Sequence, residues 1–223
     1  MGRFIAIEGG DGSGKGTQSK LLAELAQKKG YDVLSISFPR YGEASAYYVE
    51  QYLNGNYGSN DALPADLTAL PFAIDRFAAK SDIINHLKKP NSLVISDRYM
   101  ASNLAHQGAK IDDIAARQQF YKRTLHLEYD ILGIPKPDIS IVLLVPSAIA
   151  QANVDKKTAR NYTNLKRDIL EADASHQDKA KRNFEELCQL MPDYFAPINC
   201  INDSGTMYSI DDIASAIADQ VKI

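Results

Sequence analysis

The sequence predicts an α/β fold in which a parallel sheet is covered by helices on both faces. Three observations carry that prediction. Short apolar runs alternate with helical periodicity from end to end, the run from Asp138 to Val145 is apolar almost without a break, and a glycine-rich turn joins the first run to the first helix. A nearly unbroken apolar strand is what a sheet buried on both faces requires. The length of 223 residues fits one domain spanning 1–223, or such a domain with a mobile lid.

Taken in order, Arg3 to Glu8 reads as the first strand and runs into Gly9-Gly10-Asp11-Gly12-Ser13-Gly14. Lys15 to Lys29 has helical spacing, with Leu21, Leu22, Leu25 and Ala26 on one side and Gly30 as the stop. Asp32 to Phe38 is a second strand stopped by Pro39. Pro64 to Leu87 reads as helical with a kink or break at Pro71. Ser92 to Ser96 is the third strand, and Ile111 to Leu132 a long helix ending at Gly133. Asp138 to Val145 is the fourth strand, Lys179 to Leu190 a helix, Ile198 to Ile201 a short fifth strand, and Ile210 to Val221 a terminal helix. Asn153 to Ser175 differs from all of these. It is rich in Lys, Arg, Asp and Asn, and reads either as a solvated helical connection or as a lid over a phosphate site.

Composition excludes several classes. The formal charge of −3 gives no net basic field for nucleic acid, so any phosphate must be held by local Lys and Arg. Cys188 and Cys200 lack metal-ligand spacing and are too few for a disulfide framework, which predicts reduced, partly buried thiols. No secretory leader is visible, and no stretch approaches the roughly 20 apolar residues of a membrane span. A cytoplasmic protein acting on small molecules is expected, with neither nucleic acid nor membrane as a partner.

The segment from Gly9 to Lys15 fits G-x-x-x-x-G-K directly after a strand and at the start of a helix. Glycines let the backbone wrap with its N–H groups inward, the helix N-terminus adds its dipole, and Lys15 neutralises charge. Gly10, Gly12, Ser13, Gly14, Lys15, Gly16 and Thr17 are therefore the candidate phosphate ligands. The general pattern places Ser or Thr after the lysine as a magnesium ligand, but here Gly16 stands there and Thr17 follows. Magnesium would then rely on carboxylates, with Asp11, Asp97 and Glu171 as candidates beside Thr17. Asp11 sits in a loop built for anions and needs a cation or a sugar hydroxyl as company.

The order Glu8-Gly9-Gly10-Asp11-Gly12-Ser13-Gly14-Lys15-Gly16-Thr17-Gln18, Phe38-Pro39-Arg40-Tyr41-Gly42, Phe72-Ala73-Ile74-Asp75-Arg76, Asp97-Arg98-Tyr99-Met100-Ala101-Ser102-Asn103, Gln107-Gly108-Ala109 and Gly133-Ile134-Pro135-Lys136-Pro137-Asp138 resembles the thymidylate kinases. Asp168 and Glu171 are similar to that family's acidic lid pair, and the likeness runs from about residue 3 to about residue 190. It implies a P-loop NTPase fold, a three-layer α/β/α arrangement of a five-stranded parallel sheet with a helical lid at about 153–175. It also implies transfer of the γ-phosphate of ATP to dTMP, with Mg²⁺, by a homodimer. The alternative is a related nucleoside monophosphate kinase with altered base or sugar selectivity.

Residue by residue, Phe72 and Arg76 are four apart and share a helix face. Either a pyrimidine stacks on Phe72 while Arg76 donates to a base carbonyl, or the pair is a core Phe with a snorkelling Arg. The resemblance implies the first, and implies that Arg98, with Arg40 nearby, clamps the dTMP phosphate beside Phe38 and Pro39. Asp97 lies at the carboxyl end of a strand, where such sheets bind ligands. Ser102 and Asn103 either bond the base edge or cap the segment after Tyr99, with Gln107 close by. Where many members carry Tyr, this chain has His106, which either hydrogen-bonds the sugar or fills the same space. The lid offers Lys156, Lys157, Arg160, Lys166 and Arg167. Arg160 and Arg167 suit bidentate phosphate binding and complete the proposed catalytic set of Lys15, Asp11 and Arg98.

Overall fold

The computed structural model describes residues 2–155, 169–170 and 173–223. In chain order the first half comprises β1 (Arg3–Gly9), α1 (Lys15–Lys28), β2 (Asp32–Ser37), α2 (Tyr47–Leu53), α3 (Ala65–Leu87), β3 (Ser92–Asp97) and α4 (Met100–Gly108). The second half comprises α5 (Ile114–Leu125), β4 (Ile139–Leu144), α6 (Ser147–Asp155), α7 (Ala174–Leu190), β5 (Phe195–Asn199) and α8 (Ile210–Val221). The five strands form one sheet in the order β2-β3-β1-β4-β5, and every neighbouring pair is parallel.

The strand period of two explains the apolar runs. Phe4, Ala6, Val94 and Val142 point to one face, where residues of α3, α4, α5 and α7 pack on them. Ile5, Ile7, Leu93, Ile95, Ile141 and Leu143 point to the other, against α1 and α8. Both faces are covered, so alternate residues all find apolar partners. β1 lies at the centre with β3 on one side and β4 on the other, so the chain order reverses there. The carboxyl ends of β1, β3 and β4 open into one crevice, the expected ligand position in an open α/β sheet.

Several expectations need correction. Pro71 neither breaks nor ends α3, which runs through it from Ala65 to Leu87. Proline removes one helical hydrogen bond, but Ala69, Ala73, Ala79 and Ile83 bury the helix on the sheet and keep it continuous. The helix expected from Ile111 starts at Ile114, where the Asp113 carboxylate caps it by accepting from Ala116 N–H at 2.7 Å. Its last turn, His126–Ile131, is π-helical. α7 begins at Ala174, five residues before the expected Lys179, because Asp173 caps it by accepting from His176 N–H. The last strand is Phe195–Asn199 rather than 198–201. The short helix α2 and the helix α6 were not foreseen.

α4 starts without a cap from its own chain end. The cap comes from Glu8 of β1, whose carboxylate accepts from Ala101 N–H at 2.8 Å, Ser102 N–H at 3.1 Å and Ser102 O–H at 2.6 Å. Glu8 is fully buried, and burial pushes its carboxyl above the ordinary range against the pull of those donors. This contact ties the strand that precedes the glycine-rich loop to the helix that follows Arg98.

Candidate active site

Gly9 leaves β1 at φ +135°, and a Cβ there would lie 2.6 Å from Leu143 O. Gly12 adopts φ +78°, and a Cβ there would meet Ala150 O of α6 at 1.9 Å. Only glycine allows the loop to pass so close to β4 and α6. α1 then opens with no acidic residue in its first turn, so its free N–H groups and dipole favour an anion. Lys15 is buried and folds back over the loop, donating to Gly10 O at 2.7 Å and approaching Ser13 Oγ at 3.5 Å. Gly10, Gly12, Ser13 and Gly14 thus form a continuous turn under the Lys15 ammonium. Gly16 and Thr17 are exposed on α1.

Beside the loop lies a cavity of about 220 Å³. Asp11 and Arg98 line it next to the loop, Phe38, Pro39 and Tyr41 after β2, and Phe72 and Arg76 on α3. Asp97, Ser102, Asn103, His106 and Gln107 complete the wall from β3 and α4. The structure therefore gathers on one cavity eleven of the residues singled out in the sequence, from 38 to 107 along the chain and from the loop itself.

Arg98 sits at φ +65°, an unusual conformation for a residue with a side chain. It pairs with the Asp11 carboxylate and also donates to Gly9 O and Ser102 Oγ. Burial alone would lower its pKa, but Asp11, Asp97 and Tyr41 outweigh that and raise it, so the guanidinium stays charged. The cation that Asp11 requires is therefore Arg98. Arg40 is placed differently: its Nε donates to Asp75 Oδ1 at 3.0 Å and its Nη2 to Ser45 Oγ at 2.7 Å, and it is not among the residues lining the cavity.

Arg76 does not snorkel. It is buried, and a bidentate pair joins Nε and Nη2 to the two oxygens of Glu128, each at 2.6 Å. Asn103 donates to the same carboxylate at 3.0 Å. Gln107 accepts from Thr68 Oγ1 at 2.6 Å. His106 stacks on His176 of α7 with centroids 5.8 Å apart, and its ring edge meets Phe184. Tyr52 O–H donates to Asn60 Oδ1, which leaves the Asn60 amide nitrogen to donate to His176 Nδ1 at 3.1 Å and puts the proton of the neutral His176 ring on Nε2. Burial first, then the Arg98, His176 and Lys15 charges, push His106 down to about 3 against the pull of Asp11. Burial and Lys110 push His176 down to about 4 against Asp173, Asp61 and Asp11.

Magnesium has a partial donor set among the described residues. Asp97 Oδ1 is buried without a hydrogen-bond partner there, and Oδ2 lies 3.1 Å from where a Cβ at position 16 would stand. Asp97 fits a magnesium role close to the site of the missing hydroxyl, and Thr17 is exposed one residue further along α1. No group of three metal-binding side chains occurs among the described residues. Glu171, Asp168, Arg160, Arg167 and the three lid lysines lie outside the described residues. Cys188 and Cys200 are free and buried, and burial pushes their thiols up to about 12 and about 11. No helix among the described residues is long and apolar enough to cross a membrane.

A family model described as Thymidylate kinase matches residues 7–195. The chain belongs to the thymidylate kinase family. The thymidylate kinase of Mycobacterium tuberculosis (strain ATCC 25618 / H37Rv) is 33% identical over 185 residues, covering 82% of this chain and 85% of that protein. The probable thymidylate kinase of Pyrococcus abyssi is 30% identical over 225 residues, covering 99% and 96% respectively. The solved structure of the Candida albicans thymidylate kinase superposes with a TM-score of 0.69 at 22% identity, covering 99% of this chain and 91% of that one, which speaks to the shared P-loop NTPase fold.

Sequence reasoning missed four residues of this thymidylate kinase site. Glu8 holds α4, Glu128 holds Arg76 and Asn103, Asp75 holds Arg40, and His176 backs His106. One signal existed: an Arg on the buried face of a helix needs a carboxylate, and Glu128 is flanked by apolar or aromatic residues in Leu127-Glu128-Tyr129.

The histidine pair gives a pH dependence of stability. Both folded-state values lie below the ordinary 6.5, so below that pH the unfolded chain binds protons that the native chain refuses. Stability falls as pH drops from about 6.5 towards 4, by up to about 1.4 kcal/mol per pH unit for each histidine. Urea unfolding at pH 7 and pH 5 should show this loss, and the double variant His106→Gln, His176→Gln should show about 2–4 kcal/mol less of it. Equal losses in the two proteins would refute the assignment.

Proposed function

We propose that the cavity holds dTMP with its phosphate on Arg98, and that the glycine-rich loop holds the phosphates of ATP under Lys15. As a thymidylate kinase the chain is an ATP-dependent phosphotransferase that converts dTMP and ATP to dTDP and ADP. The observation that supports the two-pocket reading is the Asp11–Arg98 pair. It joins the phosphate loop to the acceptor cavity, so an acceptor phosphate on Arg98 would lie next to the donor's γ-phosphate.

An oxygen of the dTMP phosphate attacks the γ-phosphorus, and the bond from that phosphorus to the β–γ bridging oxygen breaks. The acceptor is already an anion, so no general base is needed. Catalysis then consists of positioning and charge stabilisation. Lys15 and the loop amides stabilise the charge that grows on the leaving ADP. Arg98 is pre-aimed by Asp11, Gly9 O and Ser102 Oγ, so little of its side-chain freedom remains to be lost. Phe72 offers an aromatic face to the base, and Leu170 and Leu53 close the cavity over it. Asp97 is the described carboxylate that would hold magnesium, which would supply positive charge against the phosphates of ATP. Arg160 and Arg167 are proposed as further cations for the transferring phosphoryl group.

We also propose a homodimer formed through α3. Leu67, Leu70, Ile74 and Phe77 are spaced three, four and three residues apart and are 54%, 40%, 47% and 48% exposed. They make one apolar stripe on the outer side of the helix whose other side carries Phe72 and Arg76.

Two measurements check these readings. With ATP and a panel of dTMP, dUMP, UMP and AMP, a coupled assay should show dTMP as the best acceptor, and Lys15→Ala should lower turnover about 10³-fold or more. A purine preference, or near-normal turnover in Lys15→Ala, would contradict the assignment. Sedimentation velocity should give a dimer for the wild type and a monomer for Ile74→Asp. A monomeric wild type would rule out the α3 interface.

A further inference from the structure

We infer that Glu128 is a positioning residue for substrate choice: one buried carboxylate sets the hydrogen-bonding polarity of both Arg76 and Asn103, and thereby selects an imide pyrimidine over an amino pyrimidine. The inference rests on the dTMP reading above.

Glu128 is wholly buried at the start of the π-helical turn after α5. Its Oε2 accepts from Arg76 Nε and its Oε1 from Arg76 Nη2. Arg76 Nη1 donates in addition to Tyr99 O at 3.3 Å. A guanidinium has five N–H groups. Three are used within the described residues, so one on each terminal nitrogen is left to serve the cavity that Arg76 lines.

Asn103 is fixed by the same carboxylate. Its Nδ2 donates to Glu128 Oε1 at 3.0 Å and to Ala69 O at 3.2 Å. Neither partner has a proton to give, so the amide cannot be turned over without setting its oxygen against two other oxygens. Asn103 Oδ1 is therefore the free end. It is buried and has no hydrogen-bond partner among the described residues. An unpaired buried acceptor is destabilising until a ligand N–H meets it.

The wall thus shows donors from Arg76 and an acceptor from Asn103. A thymine or uracil ring carries an N–H at N3 between two carbonyl oxygens, which complements that arrangement. Cytosine has a lone pair at N3 and an amino group in place of the 4-carbonyl, which would set acceptor against acceptor and donor against donor. Stacking on Phe72 does not tell the rings apart. The choice between them falls to the polarity that Glu128 imposes.

The test uses the full-length enzyme with dTMP, dUMP and dCMP as acceptors, in wild type, Glu128→Gln and Asn103→Ala. Wild type should favour dTMP and dUMP over dCMP by at least about a hundredfold in kcat/KM. Glu128→Gln keeps the side-chain shape but sets an amide N–H against an Arg76 N–H, so one prong of the pair is lost. It should lower kcat/KM for dTMP about tenfold or more and shrink the dTMP-to-dCMP ratio by a similar factor, with the KM for ATP within about twofold of wild type. Asn103→Ala leaves the Arg76–Glu128 pair intact, so it stays informative if Glu128→Gln does not fold, and it should narrow the same ratio. A ratio unchanged in both variants, dTMP and dCMP falling together, or a wild type that accepts dCMP as well as dTMP would overturn the inference while leaving dTMP transfer standing. A wild type inactive on every pyrimidine would overturn the dTMP reading and this inference with it.

Discussion

A guanidinium taken out of water must be met by a carboxylate, and the Arg76–Glu128 pair is the constraint around which the acceptor side of this molecule is built. Removing one partner of such a buried pair typically costs about 3–5 kcal/mol, because the other charge is stranded. The pair links α3, which carries Arg76, to the π-helical turn, which carries Glu128, and through Asn103 it reaches α4. The π turn has a local reason. After it, Leu132 N–H bonds Leu127 O and Ile134 N–H bonds Glu128 O, and the chain leaves through Gly133 at φ +60° towards β4. π-helical turns of this kind recur at functional sites, and here the turn holds the carboxylate that meets Arg76.

The same logic repeats at lower burial around the cavity. Asp11 holds Arg98 and Asp75 holds Arg40. Each cation is oriented before a ligand arrives, which lowers the ordering cost of binding. It also reconciles a net charge of −3 with a site for two anionic nucleotides. The local field is set by side chains fixed at short range, and not by the overall charge. Glu8 extends the arrangement to the backbone. By capping α4 it ties Ser102, and through Ser102 Arg98, to the strand that leads into the phosphate loop.

Much of this was legible in the chain itself. The five strands and the helices α1, α3, α5, α7 and α8 follow, within a few residues at their ends, from apolar runs and helical spacing, and the loop from Gly9 to Lys15 is a local motif whose geometry needs no distant partner. Phe72, Arg98 and Asn103 were placed on the site by short segments with a family resemblance. What was not legible depended on contacts across the fold. Glu128 is 52 residues from Arg76 and Glu8 is 93 from Ala101, and nothing in local spacing announces such pairs. That α3 does not break at Pro71 has a related reason: helix propensity is a local quantity, whereas the burial that overrides it is not. Arg40 is a further case: the matching segment singled it out, but its pairing with Asp75, 35 residues away, could not be read from that segment.

The central claim is that the acceptor wall is preset by buried carboxylates and receives the base without rearranging. A crystal structure of the enzyme with dTMP and a non-hydrolysable ATP analogue tests it most directly. The account predicts the pyrimidine stacked on Phe72, its edge on Arg76 and Asn103, its phosphate on Arg98, and Glu128 still bound to both Arg76 and Asn103. An Arg76 released from Glu128 to reach the nucleotide, or an Asn103 amide turned over against the base, would contradict it.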